Sequence, residues 1–177
     1  MIESLKCFAS SSTNLGSFVA GLSVFIISSL IVFLVKDVFK KPPSFSGVFY
    51  LKTTTINSTV GDYKELSSFF VLTLINESVT KAIGKIEKTH DIDKNNVRRK
   101  YIGRDRNVGD VLLTIERYYF IFNKMNIHIS LKGDPNGAQR PSSLVVTLNR
   151  AKLKTDGVFL TTAADANGTA AFQNKGF

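Results

Sequence analysis

The sequence predicts an all-β fold, a small antiparallel eight-stranded barrel preceded by one transmembrane helix near the N-terminus. Three observations predict it: an uncharged apolar segment near the N-terminus, a following series of short runs in which apolar and polar residues alternate, and turn-forming residues between those runs. The expected organisation is a polar segment over residues 1–14, a transmembrane helix over 15–36, a linker over 37–44 and a β-barrel domain over 45–177.

The apolar segment Leu15–Val35 carries no charged residue. As a helix it would span about 31 Å, close to the hydrocarbon core of about 30 Å. A cleaved signal peptide is the alternative, but the basic residues follow the segment and no A-x-A pattern is present. The flanking lysines Lys36, Lys40 and Lys41 outnumber Lys6 on the other side, so the positive-inside rule predicts a single-pass protein with its C-terminal domain in the cytoplasm.

Small residues cluster in the first half of this helix. Gly16 and Ala20 are four residues apart, as are Ser17 and Gly21. Such spacing lets helix backbones approach closely in lipid, which predicts a homo-oligomer through these four positions.

After the prolines Pro42 and Pro43, which end a helix, the alternating runs begin. One of the clearest runs places Met125, Ile127 and Ile129 on one face. The spacing predicts about eight strands with short antiparallel links, in a meandering barrel or a sandwich, and closure of a barrel would remove exposed edges. The expected strands lie at 46–55, 67–76, 79–88, 98–103, 111–122, 125–131, 144–149, 158–162 and 169–172, with Asn167-Gly168 expected in a hairpin turn.

The formal net charge is +9, and the excess lies in residues 36–177. A basic domain favours an anionic partner such as a phosphorylated ligand or an acidic lipid surface, while the alternative is a surface tuned for solubility. No polymeric nucleic acid is expected. The lone cysteine, Cys7, excludes a disulfide within the chain and a Cys-based metal site.

No catalytic constellation is visible, because His90 and His128 have no cysteine beside them and no repeated carboxylate spacing. We therefore expect neither enzyme activity, nor a metal, nor a cofactor. The densest basic cluster, which includes Lys100, could bind phosphate through arginine and stack a base on tyrosine, although it could equally be a solvated hairpin or touch lipid headgroups. Arg117, within the aromatic run 111–122, is a second choice, because a charged side chain there must face water or contact a partner. The candidate ligand-binding residues are Arg98, Arg99, Arg104, Arg106, Tyr101, Arg117 and Tyr118.

The layout resembles one family, the membrane-anchored β-barrel effectors of bacterial anti-phage cyclic-oligonucleotide (CBASS-type) signalling. The resemblance is carried by the order of anchor, linker and basic β domain, by SGVFY at Ser46–Tyr50, and by GVFLTTA at Gly157–Ala163 with GTAAF at Gly168–Phe172. It implies a lipocalin-like barrel that senses a cyclic nucleotide in the cytoplasm, and a membrane part that self-associates and disrupts the bacterial inner membrane. The family normally has two transmembrane helices, whereas one is expected here.

Three functions therefore remain open at this point. The first is the nucleotide-sensing membrane effector that the resemblance implies. The second is a structural subunit of an envelope or secretion assembly with a β-rich domain. The third is a membrane-tethered binder of lipid or of a small apolar ligand, since an eight-stranded barrel can hold one small molecule.

Overall fold

The computed structural model of the chain describes Glu3 and residues 12–39, 41–118, 121–133 and 140–177. The chain divides into two compact units, Met1–Lys41 and Pro42–Phe177. The first unit is helical and the second is built of strands.

Helix α1 covers Ser12–Phe33 and continues as a π-helix over Leu34–Phe39. Its segment Asn14–Phe33 is long and apolar enough to cross a membrane, and it is the one such helix among the described residues. Large side chains along it are exposed, as with Phe18 at 68% and Phe25 at 69%. The hydroxyl of Ser23 donates to the Val19 carbonyl at 2.8 Å, so this polar group is satisfied within the helix.

The second unit is a closed antiparallel barrel, which confirms the predicted fold class. Eight strands each pair with their neighbour in the barrel, and the last pairs with the first, which closes the sheet. Among the described residues, a ninth, three-residue strand, β4, pairs with the end of β3 alone. The strands are β1 Gly47–Asn57, β2 Ser67–Ser78, β3 Lys81–Ile92, β4 Arg98–Lys100, β5 Asn107–Glu116, β6 Lys124–Leu131, β7 Ser142–Leu148, β8 Lys154–Thr161 and β9 Ala166–Gln173.

The period-two alternation of the strands fills the barrel with apolar side chains. In β6, for example, Met125 and Ile127 are fully buried, whereas His128 faces outward. Phenylalanines from β1, β2, β8 and β9 add to a continuous core. Side chains thus occupy the interior of the described strands, as they can in a barrel of this strand number.

An aromatic plug closes the end at which the chain enters the barrel. Phe45, just before β1, is 1% exposed and lies 6.0 Å from Phe49, ring centroid to centroid, while Phe49 stacks on Phe172 at 5.1 Å. Asn76 of β2 holds this segment, because its Oδ1 accepts from the Phe45 amide at 3.1 Å and its Nδ2 donates to Ser44 at 3.0 Å. Four of the six polar or charged residues buried within the described ranges, Thr53, Thr55, Asp91 and Asn107, lie toward the opposite end, where the candidate site lies.

The aromatic run 111–122 does not form the single strand that the sequence predicts. Strand β5 begins earlier, at Asn107, and ends at Glu116. The buried side chain of Asn123 accepts from the Tyr118 amide at 3.0 Å, and the Asn123 carbonyl accepts from the Ala151 amide at 2.8 Å, so the chain turns here instead of continuing. Residues 119 and 120 lie outside the described residues.

The last hairpin turns earlier than its Asn-Gly signal predicts. The turn lies at Ala163–Asp165, where Ala164 and Asp165 have positive φ angles of 55° and 42°. Gly168 instead lies within β9, where a β-carbon would come within 2.0 Å of the Thr54 carbonyl oxygen. The missing side chain of Gly168 allows the neighbouring strands to approach closely, which is a common reason for glycine within a sheet.

Candidate functional site

A bulge in β3 sets up the candidate site. Phe69 pairs with His90 but its neighbour Phe70 pairs with Lys88, so Thr89 is an extra residue on β3. The Thr89 hydroxyl donates to the Phe69 carbonyl at 3.1 Å. Strict alternation would turn Lys88 and His90 to the same face, and the bulge instead turns His90 outward and Asp91 inward.

Strand β4 folds back on the end of β3 through a tight turn. The Asp93 carboxylate accepts from the amides of Asn95 and Val97 at 2.9 and 2.8 Å, and Asn96 adopts a left-handed φ of 61°. Aspartate and asparagine favour such turns because their short side chains bond nearby backbone. The turn pairs His90 with Lys100 and Ile92 with Arg98, which brings exposed cations beside the bulge.

The outer face of this corner combines aromatic rings with cations. The rings of His90 and Phe69 stack at 4.2 Å with an interplanar angle of 7°. Arg98 Nη2 lies 3.3 Å from His90 Nδ1, and Lys52 Nζ lies 5.5 Å from the centroid of the Phe69 ring. We call these four residues, Lys52, Phe69, His90 and Arg98, the β4 corner.

The inner face holds a buried polar cluster. Asp91 Oδ2 accepts from Lys88 Nζ at 2.7 Å and from the Tyr101 hydroxyl at 2.5 Å, and all three residues are largely buried. Burial, followed by the negative charge of Asp91, raises the pKa of Tyr101 far above its usual value, so Tyr101 stays a hydrogen-bond donor. Within the described part of the chain, Asp91 Oδ1 has no hydrogen-bond partner.

The structure divides the seven candidate residues predicted from sequence. Arg98 and Arg99 are exposed on β4, and the Arg99 guanidinium carbon lies 5.6 Å from the centroid of the buried Tyr101 ring. Arg106 makes two 2.8 Å bonds to Glu87, which raise its pKa and direct its donors to a carboxylate of the same barrel. Arg104 lies in the short 3₁₀ turn Gly103–Asp105, and its side chain is outside the described residues.

Arg117 and Tyr118 follow β5 at the opposite end of the barrel from β4. Both are half-buried. The Tyr118 hydroxyl donates to Glu116 at 2.5 Å, and this bond lowers the pKa of Glu116 and raises the pKa of Tyr118. The structure therefore does not bring these two residues together with the β4 arginines.

Sequence reasoning missed Phe69, Asp91 and Lys88, and it assigned His90 no role. A signal for them exists in the segment Asp93–Asn96, because Asp-Lys-Asn-Asn is rich in turn-forming residues. A hairpin centred there would pair residues 90–92 with 98–100. Nothing local signals the bulge at Thr89, which sets the face of each side chain.

These features define a class of protein, a chain in which one apolar helix able to cross a membrane precedes a closed antiparallel barrel with a basic, aromatic corner. No group of three or more His, Cys, Asp or Glu side chains within the described ranges is arranged to hold a metal ion. Comparisons with protein-family models, with curated proteins and with solved structures found no match to this chain.

Acidification is expected to weaken the fold through His90. Burial, followed by the charge of Arg98, lowers the pKa of His90 below its usual 6.5. Between 6.5 and that lower value the unfolded chain binds more protons than the folded chain, so stability present above pH 6.5 is lost as the pH falls. NMR titration of the imidazole should show an upward pKa shift in Arg98→Ala. A His90 titration that Arg98→Ala leaves unchanged would contradict the contact.

Proposed function

We propose that this chain is a single-pass membrane protein whose barrel binds a cyclic nucleotide at the β4 corner. In this proposal it acts as an effector of bacterial anti-phage defence: α1 anchors it in the inner membrane with the barrel in the cytoplasm, and ligand binding drives self-association and membrane disruption. The observation that carries the proposal is the Phe69–His90 stack flanked by Lys52 and Arg98.

The chemistry of the β4 corner fits a ligand that combines rings with phosphates. Aromatic side chains stack on bases with little dependence on sequence, and arginine binds phosphate through a planar pair of donors. Arg98 is exposed, and its contact at 3.3 Å is with a histidine whose lowered pKa favours the neutral form, not with a carboxylate. A phosphate would therefore meet a guanidinium whose charge no acid among the described residues already matches, in contrast to Arg106 on Glu87.

Because the interior of the barrel is packed, the proposed ligand site lies on its outer surface. An apolar ligand held inside the strands, as a lipid binder of the lipocalin type requires, would have to displace core residues such as Leu113, Ile127 and Val146, all of which are fully buried. A ligand bound at the β4 corner would displace no core residue.

Cyclic di- and trinucleotides are expected to raise the unfolding temperature of the full-length chain in detergent. A ligand at 100 times its dissociation constant adds about 2.7 kcal/mol to the free energy of unfolding. Arg98→Ala removes a charge-assisted contact with phosphate and should weaken binding by about tenfold or more. Thermal unfolding across a nucleotide concentration series measures both effects.

Arg150→Ala is the matched control, because the Arg150 guanidinium carbon also lies over a ring, 4.0 Å from the centroid of Phe122, but near the other end of the barrel. Its affinity should equal that of the wild type. Linear mononucleotides and inorganic phosphate separate recognition of a cyclic nucleotide from simple anion binding. Stabilisation by no cyclic nucleotide, or equal losses in Arg98→Ala and Arg150→Ala, would reject binding at this corner.

A further inference from the structure

The outer wall of the barrel carries a row of apolar side chains that lie in register across six adjacent strands. Each member is the direct cross-strand partner of the next, from β2 through β3, β5, β6 and β7 to β8. All but one are aliphatic. We call this row the apolar rung; its members in order are Ile75, Ile83, Leu112, His128, Val145 and Leu160.

The apolar rung faces outward, and its members are exposed except for Leu112, which is half-buried. Ile75 is 67% exposed, Leu160 63% and Ile83 45%. Single exposed aliphatic residues are ordinary on protein surfaces, but a row to which five of six adjacent strands contribute one is the kind of patch that marks an interaction site. The rungs on either side are mostly polar, so the patch has the apolar centre and polar rim of an interface.

We propose that the apolar rung is a contact surface for a second copy of this chain. The contact forms before any ligand binds, so it is separate from the ligand-driven self-association of the proposed function, and it rests only on the membrane anchor proposed there. Three observations favour a second copy as the occupant: the local charge, the shape of the wall and the size of the patch.

The local charge around the rung is balanced, unlike the charge of the barrel as a whole. Of 23 basic and 14 acidic residues, 19 and 12 lie in residues 42–177, so that unit carries a formal charge of +7. Two copies repel each other over most of their surface. Beside the rung, however, Lys85 pairs with Asp110, and Lys81 pairs with Glu77 at 2.6 Å. Two like-charged barrels can approach with least repulsion at such a face.

The shape of the wall would allow a second copy to fit against it. Closure of the barrel curves the wall outward across the strands. An open groove of about 800 Å³ runs across β2 to β7, its lining includes rung residues and their polar neighbours, and a groove in this direction is concave along the strands. Two copies of a saddle fit face to face when one is turned by about 90°, which gives the orthogonal sheet packing known from other proteins. The centre of the contact then lies at Leu112 and His128.

The size of the patch suits copies that share a membrane. Six strands about 4.8 Å apart and three rungs about 7 Å apart cover roughly 600 Å². This is less than the roughly 800 Å² per partner of a stable complex. An interface of this size needs the high effective concentration that tethering supplies.

Cysteine cross-linking of the full-length chain in lipid vesicles tests the contact without added nucleotide. In a Cys7→Ser background, Leu112→Cys should form a disulfide-linked dimer under mild oxidation in several-fold higher yield than Ile56→Cys. Ile56 is a matched control, because it is 51% exposed near the far end of β1 and lies outside the rung. Equal yields at the two positions would overturn the proposal.

Charge substitutions supply the second measurement. Ile83→Lys and Val145→Lys place a cation on the rung and should abolish energy transfer between labelled chains in the same vesicles, whereas Ile56→Lys should not. Thermal unfolding and the nucleotide titration on the same variants report whether the fold and the β4 corner are intact. Association that survives both rung substitutions would belong to another surface, such as α1, and would overturn this inference while leaving the nucleotide proposal standing.

Discussion

Replacing Gly157 by alanine is expected to destabilise the barrel by about 3 kcal/mol or more. A β-carbon at this position would lie 2.0 Å from the Thr147 carbonyl oxygen and 2.7 Å from the Leu148 α-carbon. Both atoms belong to the backbone of the neighbouring strand β7 and cannot swing aside as a flexible side chain would. The added methyl group must therefore push β7 and β8 apart, with loss of ladder hydrogen bonds. Thermal or urea unfolding of the full-length chain in detergent measures the change.

Gly61→Ala is the matched control for Gly157→Ala. Gly61 begins the short 3₁₀ turn after β1, and no heavy atom lies within 4 Å of a β-carbon built there. Its φ is not positive, so alanine should leave stability unchanged or slightly raise it by restricting the unfolded chain. If both variants unfolded alike, the tight approach of β7 and β8 would not limit stability. The same argument applies to Gly84, Gly109 and Gly168, which approach neighbouring strands as closely.

The sequence predicts the barrel well because the signals for its strands are local. Residues such as Leu144, Val146 and Leu148 alternate with polar or exposed neighbours, and each is buried where the pattern places it. The alternation of buried and exposed side chains along a strand depends only on which side of the sheet faces the core. The long run in β2 is less informative, since Phe69 and Phe70 are both apolar yet face opposite sides.

The candidate site is harder to predict because it depends on register. The Phe69–His90 stack joins two strands across a bulge, and a shift of one residue would turn His90 into the core. The basic cluster at 98–106 is visible in sequence, but only the structure separates exposed Arg98 from Arg106, whose guanidinium bonds Glu87 19 residues away. Arg117 lies at the other end of the barrel because it follows β5, which runs from Asn107 beside the β4 end to Glu116 at the opposite end.

Replacing Asp91 by leucine is expected to destabilise the fold by about 3–5 kcal/mol, the usual effect of leaving one partner of a buried ion pair alone. Asp91 is 6% exposed, and its Oδ2 accepts from both Lys88 and Tyr101. The Lys88 side chain is only 14% exposed, so without the carboxylate its ammonium group loses its main compensation for desolvation. The centroid of the Tyr101 ring lies 4.7 Å from Lys88 Nζ, and this contact replaces only part of the lost compensation.

The double variant Lys88→Met with Asp91→Leu separates the effect of an unpaired charge from a simple loss of packing. Removing both charges should recover most of the stability lost in Asp91→Leu, because apolar residues of similar size often replace a buried pair at little net change. Unfolding free energies of the two single variants and the double variant give the coupling between the positions. Asp110→Asn, which removes the exposed partner of Lys85, should leave stability nearly unchanged.

The position of Asp91 also determines how the ligand variants should respond. Strand β4 has three residues and pairs with β3 alone, directly opposite His90, Asp91 and Ile92. If the buried cluster holds this end of β3, Asp91→Leu should weaken nucleotide binding at Arg98 as well as stability, and the double variant should restore both together. Additive losses in the double variant would mean that Lys88 and Asp91 act independently, which would contradict a paired, buried role for this carboxylate.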